Sequence, residues 1–156
     1  VGEGPYITEL LGDEGEALRQ KGFEFGATTG RPRRCGWLDL PVVKQAVRIN
    51  GLTDIAMTKI DILTGYDKIP VCVGYELDGK QIDYVPASLE VYGRCKPVWK
   101  VFDGWTEDIS QIRNYEDLPE NCRKYVEFVE EYTKTSVSLV SVSPDREGNI
   151  IRKPLI

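Results

Sequence analysis

Three arginines, Arg31, Arg33 and Arg34, lie within four positions of the glycine-rich segment Gly26–Trp37. Each guanidinium is a planar fork of N–H donors that matches the oxygens of a carboxylate or a phosphate. Two threonines just before them add hydroxyl groups, and the glycines let the backbone approach a ligand closely. The chain carries a net charge of −5, so a generally basic surface does not explain the cluster. The segment predicts a mobile anion-binding loop; the alternative is a solvated basic turn.

A second candidate site is the segment Thr58-Lys59-Ile60-Asp61, which follows a predicted strand. An aspartate carboxylate can accept two parallel N–H bonds, and guanine offers that pair of donors at N1 and at its exocyclic amine. Adenine presents no such pair. The stem of a neighbouring lysine can lie along the purine face while its ammonium stays in water. The segment therefore predicts a guanine-binding site; the alternative is an ordinary charged strand end.

A third candidate, Ser141-Val142-Ser143-Pro144-Asp145, follows the last long apolar run of the chain. In open α/β sheets, ligands bind beyond the carboxyl ends of the strands. Because the second and third candidates both follow predicted strands, we expect that they can lie side by side. We also expect the arginine loop and the guanine-site candidates to converge on one cavity.

Composition limits the classes of protein to consider. With 156 residues, of which 41% are hydrophobic, we expect residues 1–156 to form one domain with a packed core. The acidic net charge disfavours nucleic acid as a partner. No apolar run approaches the roughly 20 residues of a membrane span, so we expect no membrane partner and a cytoplasmic protein. The four cysteines are far apart in sequence, and the absence of histidine removes the commonest general acid or base.

Hydrophobic periodicity predicts the elements that must position these segments. The chain reads as a mixed α/β fold, a mixed sheet with packed helices, without internal repeats. The predicted helices are Glu14–Lys21, Pro41–Asn50 and Asp117–Thr133. Asp39 or Leu40 should lie near the cap of the second helix, whose apolar stripe should pack on the core. The apolar stripe of the third helix should also face the core. The predicted strands are a buried strand Thr53–Thr58, then Ile69–Leu77, Lys80–Val85, Val98–Phe102, Val137–Val142 and a tail or edge strand Ile150–Ile156. Asp78-Gly79 predicts a hairpin turn.

In combination, these motifs resemble the adenylosuccinate synthetase family in order and spacing, over essentially the whole chain. The matching residues are Gly4-Pro5, Thr8-Glu9-Leu10, Gly26-Ala27-Thr28-Thr29-Gly30-Arg31, Arg33-Arg34, Gly36-Trp37-Leu38-Asp39, Thr58-Lys59-Ile60-Asp61, Val73-Gly74-Tyr75, Gly104-Trp105 and Pro144-Asp145-Arg146. The resemblance covers only the carboxyl-terminal part of the family. The family's glycine-rich phosphate loop, catalytic aspartate and catalytic histidine have no counterpart here, so it implies no catalytic residue and no metal ligand in this chain.

The resemblance implies the carboxyl-terminal domain of a larger, P-loop-related ligase of purine nucleotide biosynthesis. Enzymes of this family use GTP to join IMP and L-aspartate into adenylosuccinate, giving GDP and phosphate. Magnesium acts on the phosphates, with its ligands mostly in the missing amino-terminal part. The resemblance also implies a homodimer for the intact enzyme and an inactive isolated fragment.

The family's binding residues carry over onto matching positions of this sequence. The resemblance implies an aspartate-binding loop formed by Ala27, Thr28, Thr29, Gly30, Arg31, Pro32 and Arg33. In it, Arg31 would also lie near the IMP ribose, and Arg33 would reach both aspartate and the GTP phosphates. Val1 resembles a residue whose backbone touches the IMP ribose. The GTP base would be bound by Lys59, Ile60 and Asp61, and from the other side by Ser141, Val142 and Ser143.

Two positions depart from the family pattern. Pro32 stands where the family often has arginine, and its fixed φ should stiffen the tip of the loop. Ser143 stands where the family often has glycine, so a side chain occupies space near the expected base. A different class of function also fits the residues: an independent anion- or nucleotide-binding scaffold domain, in which Lys59 and Asp61 form a structural pair.

Overall fold

The computed structural model describes residues 4–154 of the chain. Helices and strands alternate in a mixed α/β arrangement, which confirms the predicted fold class. The elements are α1 (Asp13–Lys21), β1 (Leu38–Asp39), α2 (Leu40–Asn50), β2 (Asp54–Met57), β3 (Lys68–Leu77), β4 (Lys80–Ile82), α3 (Leu89–Tyr92), β5 (Lys96–Asp103), α4 (Glu120–Thr133), β6 (Ser136–Ser141) and β7 (Asn149–Ile151). Short 3₁₀ turns cover Ile60–Leu63 and Tyr115–Asp117.

The chain divides into two compact units, and most of one sheet lies in each. The first unit comprises the residues up to Gln45 together with Pro70–Lys100, and the second comprises Ala46–Ile69 together with Val101–Ile156. The expectation of a single domain stays a prediction. None of the helices within residues 4–154 combines the length and the apolar character that a membrane crossing requires.

The sheet of the first unit is built around β3. Strand β1 pairs with β3 in parallel, whereas β4 pairs with it in the antiparallel direction, and β5 also pairs with β3. The predicted hairpin is confirmed: Asp78 and Gly79 both have positive φ, at 50° and 78°, as the tight turn requires. Its second strand ends at Ile82, earlier than the predicted Val85.

In the second unit, the strand order is β2-β6-β7, with β2 parallel and β7 antiparallel to β6. Helix α4 packs on β6 through a buried stripe, which confirms the core face predicted for this helix. Its fully or almost fully buried members are Cys122, Tyr125, Val126 and Val129. Edge-to-face contacts join Tyr125 to Phe102 and Trp105, with ring centroids 6.0 and 6.3 Å apart.

Two predictions of burial are wrong. Strand β2 was expected to be buried, but Asp54 and Ala56 are exposed and Ile55 and Met57 are half-buried, because β2 ends the strand order of its sheet within residues 4–154. Helix α2 begins and ends close to the predicted positions, but Ile49 on its apolar stripe is 68% exposed. Only the amino-terminal end of the helix is buried, at Leu40 and Pro41.

A stability prediction follows from the end of α4. Lys134 adopts φ 57° there, and its N–H donates to the carbonyl of Glu130 at 2.9 Å. A side chain in this left-handed conformation costs about 1 kcal/mol relative to glycine. Lys134→Gly should therefore raise the free energy of unfolding by about 1 kcal/mol in urea titration. Lys124→Gly, inside the same helix, is the control and should lower it by about 1 kcal/mol; losses of equal size in both variants would contradict the explanation.

Candidate functional site

The arginine-rich segment forms a short hairpin whose shape is set by its own backbone. The N–H of Gly26 donates to the carbonyl of Arg31 at 2.8 Å, and the N–H of Arg33 donates to that of Glu24 at 2.9 Å. Phe25 and Pro32 form an antiparallel bridge between the two arms. Residues 27–34 are all exposed. The predicted loop is thus present as a defined turn at the surface of the first unit.

The three guanidiniums of this loop have different environments. The Arg31 guanidinium forms no hydrogen bond or ion pair within residues 4–154, so its fork is open to a ligand. Arg33 donates to the carboxylate of Glu24, Nη1 to Oε2, at 2.8 Å. Arg34 makes a two-point contact with the carboxylate of Glu9, at 2.9 and 2.6 Å. The sequence shows three equivalent cations; the structure separates one open cation from two that are paired.

The return arm of the loop is anchored by backbone pairing to an earlier segment. The N–H of Leu10 donates to the carbonyl of Cys35 at 2.9 Å, and the N–H of Trp37 donates to that of Thr8 at 3.2 Å. This close approach requires glycine at position 36, because a Cβ there would lie 2.3 Å from the Thr8 carbonyl oxygen. The arm then continues into β1 and α2.

A buried polar network supports this junction, and the sequence reasoning missed it. Asp39 Oδ1 accepts from the Val42 N–H at 3.3 Å, which places Asp39 at the predicted helix cap, and from the Tyr75 hydroxyl at 2.6 Å. The Tyr75 hydroxyl lies 3.4 Å from that of Tyr92. Asp39 Oδ2 is buried and has no hydrogen-bond partner within residues 4–154. Burial raises the pKa of Asp39 above its usual value, although the hydrogen bonds from Tyr75 and Val42 favour the carboxylate.

Sequence spacing could not have paired Asp39 with Tyr75, since 36 positions separate them. The available signal was indirect: both residues belong to motifs matched in the family resemblance. Burial is also the main cause that raises the pKa of the Tyr75 hydroxyl, and its hydrogen bond to Asp39 raises that pKa further. This hydroxyl therefore stays protonated and remains a donor.

The guanine-site candidates of the second unit lie at the carboxyl ends of two neighbouring strands. Strands β2 and β6 are parallel, and Met57, the last residue of β2, is opposite Val140 of β6. The segments that follow, Thr58–Asp61 and Ser141–Ser143, therefore leave the sheet side by side, as expected. What they bind stays a prediction.

The backbone turns sharply directly after β2. Lys59 adopts φ 61°, a left-handed conformation that is uncommon for residues other than glycine, and the 3₁₀ turn Ile60–Leu63 follows. The Ile60 side chain is only 2% exposed and anchors this turn in the core, so only its backbone is available to a ligand. Asp61 is half-buried at the start of the turn. Strained backbone of this kind often marks functional positions.

After β6, the side chains of Val142 and Ser143 are buried rather than exposed at the end of the sheet. Val142 is completely buried and Ser143 is 6% exposed. Ser143 Oγ accepts from the Asp145 N–H at 3.3 Å, and its carbonyl accepts from the Ser141 hydroxyl at 3.1 Å. A Cβ at Gly148 would lie 2.1 Å from Ser143 Oγ, so the serine side chain fits because residue 148 is glycine. The side chain at position 143 is thus directed into its own loop, and a base contact there would involve the backbone.

The structure describes the arginine loop and the guanine-site candidates in different units. Their convergence on one cavity stays a prediction. Val1, the remaining candidate ligand residue, lies outside the described residues 4–154.

No metal site is formed by the described part of the chain: residues 4–154 contain no group of three or more His, Cys, Asp or Glu side chains arranged to hold an ion. The resemblance assigns the magnesium ligands mostly to the other part of the family's enzymes, so magnesium has no role in the geometry described for these residues.

Comparison with known proteins places this geometry in a family. Residues 1–150 match the family model described as adenylosuccinate synthetase. The chain is similar to the adenylosuccinate synthetase of Clostridium novyi (strain NT), with 58% identity over 97% of this chain and 35% of the relative. It is 55% identical to that of Clostridium acetobutylicum, over 96% of this chain and 35% of the relative.

A solved structure agrees. The fully ligated adenylosuccinate synthetase from Plasmodium falciparum superposes with a TM-score of 0.93 at 41% identity, over 98% of this chain and 37% of that one. The chain thus spans about a third of the length of the relatives it matches. Given the match over residues 1–150, the chain belongs to the adenylosuccinate synthetase family.

Proposed function

We propose that this chain is the carboxyl-terminal part of an adenylosuccinate synthetase, in which it binds L-aspartate and the guanine base of GTP. The intact protein is then the GTP-dependent carbon–nitrogen ligase that joins IMP and L-aspartate in AMP biosynthesis, with adenylosuccinate, GDP and phosphate as products. The observation that carries this proposal is the arginine loop, which presents the unpaired Arg31 guanidinium at an exposed tip in a chain of this family.

The reaction has two steps that require anion binding. The γ-phosphoryl group of GTP is transferred to the 6-oxygen of IMP, which turns that oxygen into a leaving group. The amine of aspartate then attacks C6 and phosphate departs. Cationic groups held in place before the reaction stabilise charge that collects in such a site. Magnesium ligands and the groups that move protons belong, in this proposal, to the other part of the enzyme.

The loop supplies donors for the aspartate carboxylates. The Arg31 fork is open, and the exposed hydroxyls of Thr28 and Thr29 lie just before it. Thr29 Oγ1 accepts from the Arg31 N–H at 3.3 Å, so the threonine is already oriented within the turn. Arg33 is partly occupied, because the Glu24 carboxylate accepts from its Nη1 at 2.8 Å. We therefore assign the main carboxylate contact to Arg31.

In this proposal, the guanine site is formed by the segments that follow the carboxyl ends of β2 and β6. Asp61 is at the start of a turn anchored by the buried Ile60, so its carboxylate starts from a fixed backbone. In the proposed complex it accepts from N1–H and from the exocyclic amine, and the Lys59 stem covers the purine face. The backbone of Ser141–Ser143 closes the opposite side. Family membership also supports a homodimeric, cytoplasmic enzyme, which we include in the proposal.

Replacing the proposed guanine acceptor should alter nucleotide choice. Asp61→Asn keeps the shape but places an amide donor opposite guanine donors, so the KM for GTP should rise by about ten- to a hundredfold. Inosine triphosphate lacks the exocyclic amine and should lose less. Steady-state kinetics of the full-length enzyme with both nucleotides measures the difference. Asp54→Asn, at the opposite end of β2, is the control; equal losses for GTP and inosine triphosphate would rule out the assignment.

Removing the open guanidinium should affect aspartate most. Arg31→Leu deletes a charge-assisted contact to a carboxylate, so the KM for aspartate should rise by about ten- to a hundredfold. Initial rates at varied aspartate, with GTP and IMP saturating, provide the measurement. Arg48→Leu on the exposed side of α2 serves as the control. An unchanged KM for aspartate would contradict the role given to the loop.

The isolated chain should be inactive. It has no phosphate loop and no histidine, so IMP, aspartate and GTP should give no adenylosuccinate when mixed with the purified 156-residue chain. The full-length enzyme, assayed alongside by the absorbance change of the purine, is the positive control. Any turnover by the chain alone would refute this prediction.

A further inference from the structure

The ion pair between Glu9 and Arg34 has a geometry unlike that of an ordinary surface pair. Arg34 Nε donates to Glu9 Oε1 at 2.9 Å and Nη2 donates to Oε2 at 2.6 Å, so two parallel hydrogen bonds join the side chains. Bidentate pairs of this kind fix orientation as well as distance. The side chains are 35% and 21% exposed, so water screens this pair less than a fully solvated one.

Arg34 makes two further contacts with the earlier segment. Nη1 donates to the carbonyl oxygen of Gly4 at 3.0 Å. The guanidinium carbon lies 5.3 Å from the ring centroid of Tyr6, within reach of a cation–π contact. Arg34 therefore contacts three positions of the segment 4–9 at once. A guanidinium held in this way is not available to a ligand in the manner of Arg31.

These contacts lie at the base of the arginine loop. Arg34 is the first residue after the hairpin arm that carries Arg31 and Arg33, and it directly precedes the backbone pairing of Cys35 with Leu10. A second anchor lies beside it, where Arg19 Nε donates to the Arg33 carbonyl at 2.7 Å. The exposed tip has its own internal hydrogen bonds. Its direction relative to the rest of the first unit therefore depends on the anchors at the base.

We propose that Glu9 and Arg34 are positioning residues for the arginine loop. The pair fixes the direction of the return arm, and Glu9 neutralises Arg34 so that a ligand meets the guanidiniums of the tip. The inference rests on the proposed function in one respect: the ligand whose affinity it sets is a dicarboxylate amino acid. The hydrogen bond between the two side chains lowers the pKa of Glu9 and raises that of Arg34, consistent with an ion pair that persists at neutral pH.

The test uses conservative variants of the full-length enzyme. Arg34→Lys keeps the charge but loses the planar fork, and Glu9→Gln keeps the shape but loses the charge. Each should raise the KM for aspartate by about tenfold, with kcat and the KM for GTP changed by less than about twofold, because the loop is misdirected rather than deleted. The double variant should be no worse than the more severe single variant, because both changes break one interaction.

A matched control is available in the same unit. Arg94 pairs with Asp78 through one contact of 3.1 Å, and both side chains are more than half exposed. Arg94→Lys should leave all kinetic constants unchanged, because exposed pairs of this kind contribute little. Additive effects of Glu9→Gln and Arg34→Lys, an unchanged KM for aspartate, or an equal rise in the KM for GTP would overturn the proposal.

A second measurement needs no substrate. Hydrogen exchange at the amides of Leu10 and Trp37, which are hydrogen-bonded across the base of the loop, should become about tenfold faster in Arg34→Lys, while amides of the β3–β4 hairpin keep their rates. Unchanged exchange at the base of the loop would overturn the positioning role. Failure of the proposed function would look different: the wild-type enzyme would form no adenylosuccinate, whereas the exchange result would still decide whether the pair orders the loop.

Discussion

The first unit depends on one close backbone approach, between the segment around Thr8 and the residues that follow the arginine loop. The hydrogen bonds of Leu10 and Trp37 across this contact form only because residue 36 has no side chain. This contact holds the chain on both sides of residue 36: the loop lies just before it, and β1 with its helix cap at Asp39 lies just after it. The paired guanidinium of Arg34 reinforces the same junction. An exposed, charged loop is thus held at its base, while its tip stays exposed.

In the second unit, the fold presents the Asp61 carboxylate just after the end of strand β2. Because β2 and β6 are parallel neighbours, the segments that follow them, Thr58–Asp61 and Ser141–Ser143, lie at the same end of the sheet. The left-handed residue Lys59 and the buried side chain of Ile60 then fix where Asp61 begins. On the neighbouring strand, Ser143 directs its hydroxyl into its own loop. In the proposed complex, this arrangement lets the backbone and the Asp61 carboxylate approach a flat purine without competing side chains.

The sequence predicted the elements well and their burial less well. The apolar stripe of α4 is continuous over four turns and identifies its core face, and Asp78-Gly79 allows few conformations other than a tight turn. The burial of β2 was predicted wrongly because its apolar run does not show whether another strand of the sheet lies beside it. The burial of Ile49 was predicted wrongly for a similar reason, because helical spacing alone does not show which element covers the apolar stripe.

The candidate site was predictable in composition but not in pairing. Residue types located the loop and the strand ends, since cations and carboxylates are visible in the sequence. The partners of those groups were not visible, because Glu9 lies 25 positions before Arg34 and Tyr75 lies 36 positions after Asp39. Contacts at such separations depend on the tertiary fold. The orientation of Ser143 likewise depends on the absence of a side chain at Gly148, which no local pattern indicates.

The most direct measurement is a crystal structure of the full-length enzyme with GDP, IMP and an unreactive aspartate analogue. We expect one cavity in which the Asp61 carboxylate lies within hydrogen-bond distance of guanine N1 and its exocyclic amine, while the Arg31 guanidinium contacts the analogue's carboxylates. We also expect Arg34 to remain on Glu9. A structure in which the loop tip and the guanine base occupy separate surfaces of the molecule would contradict the proposed function.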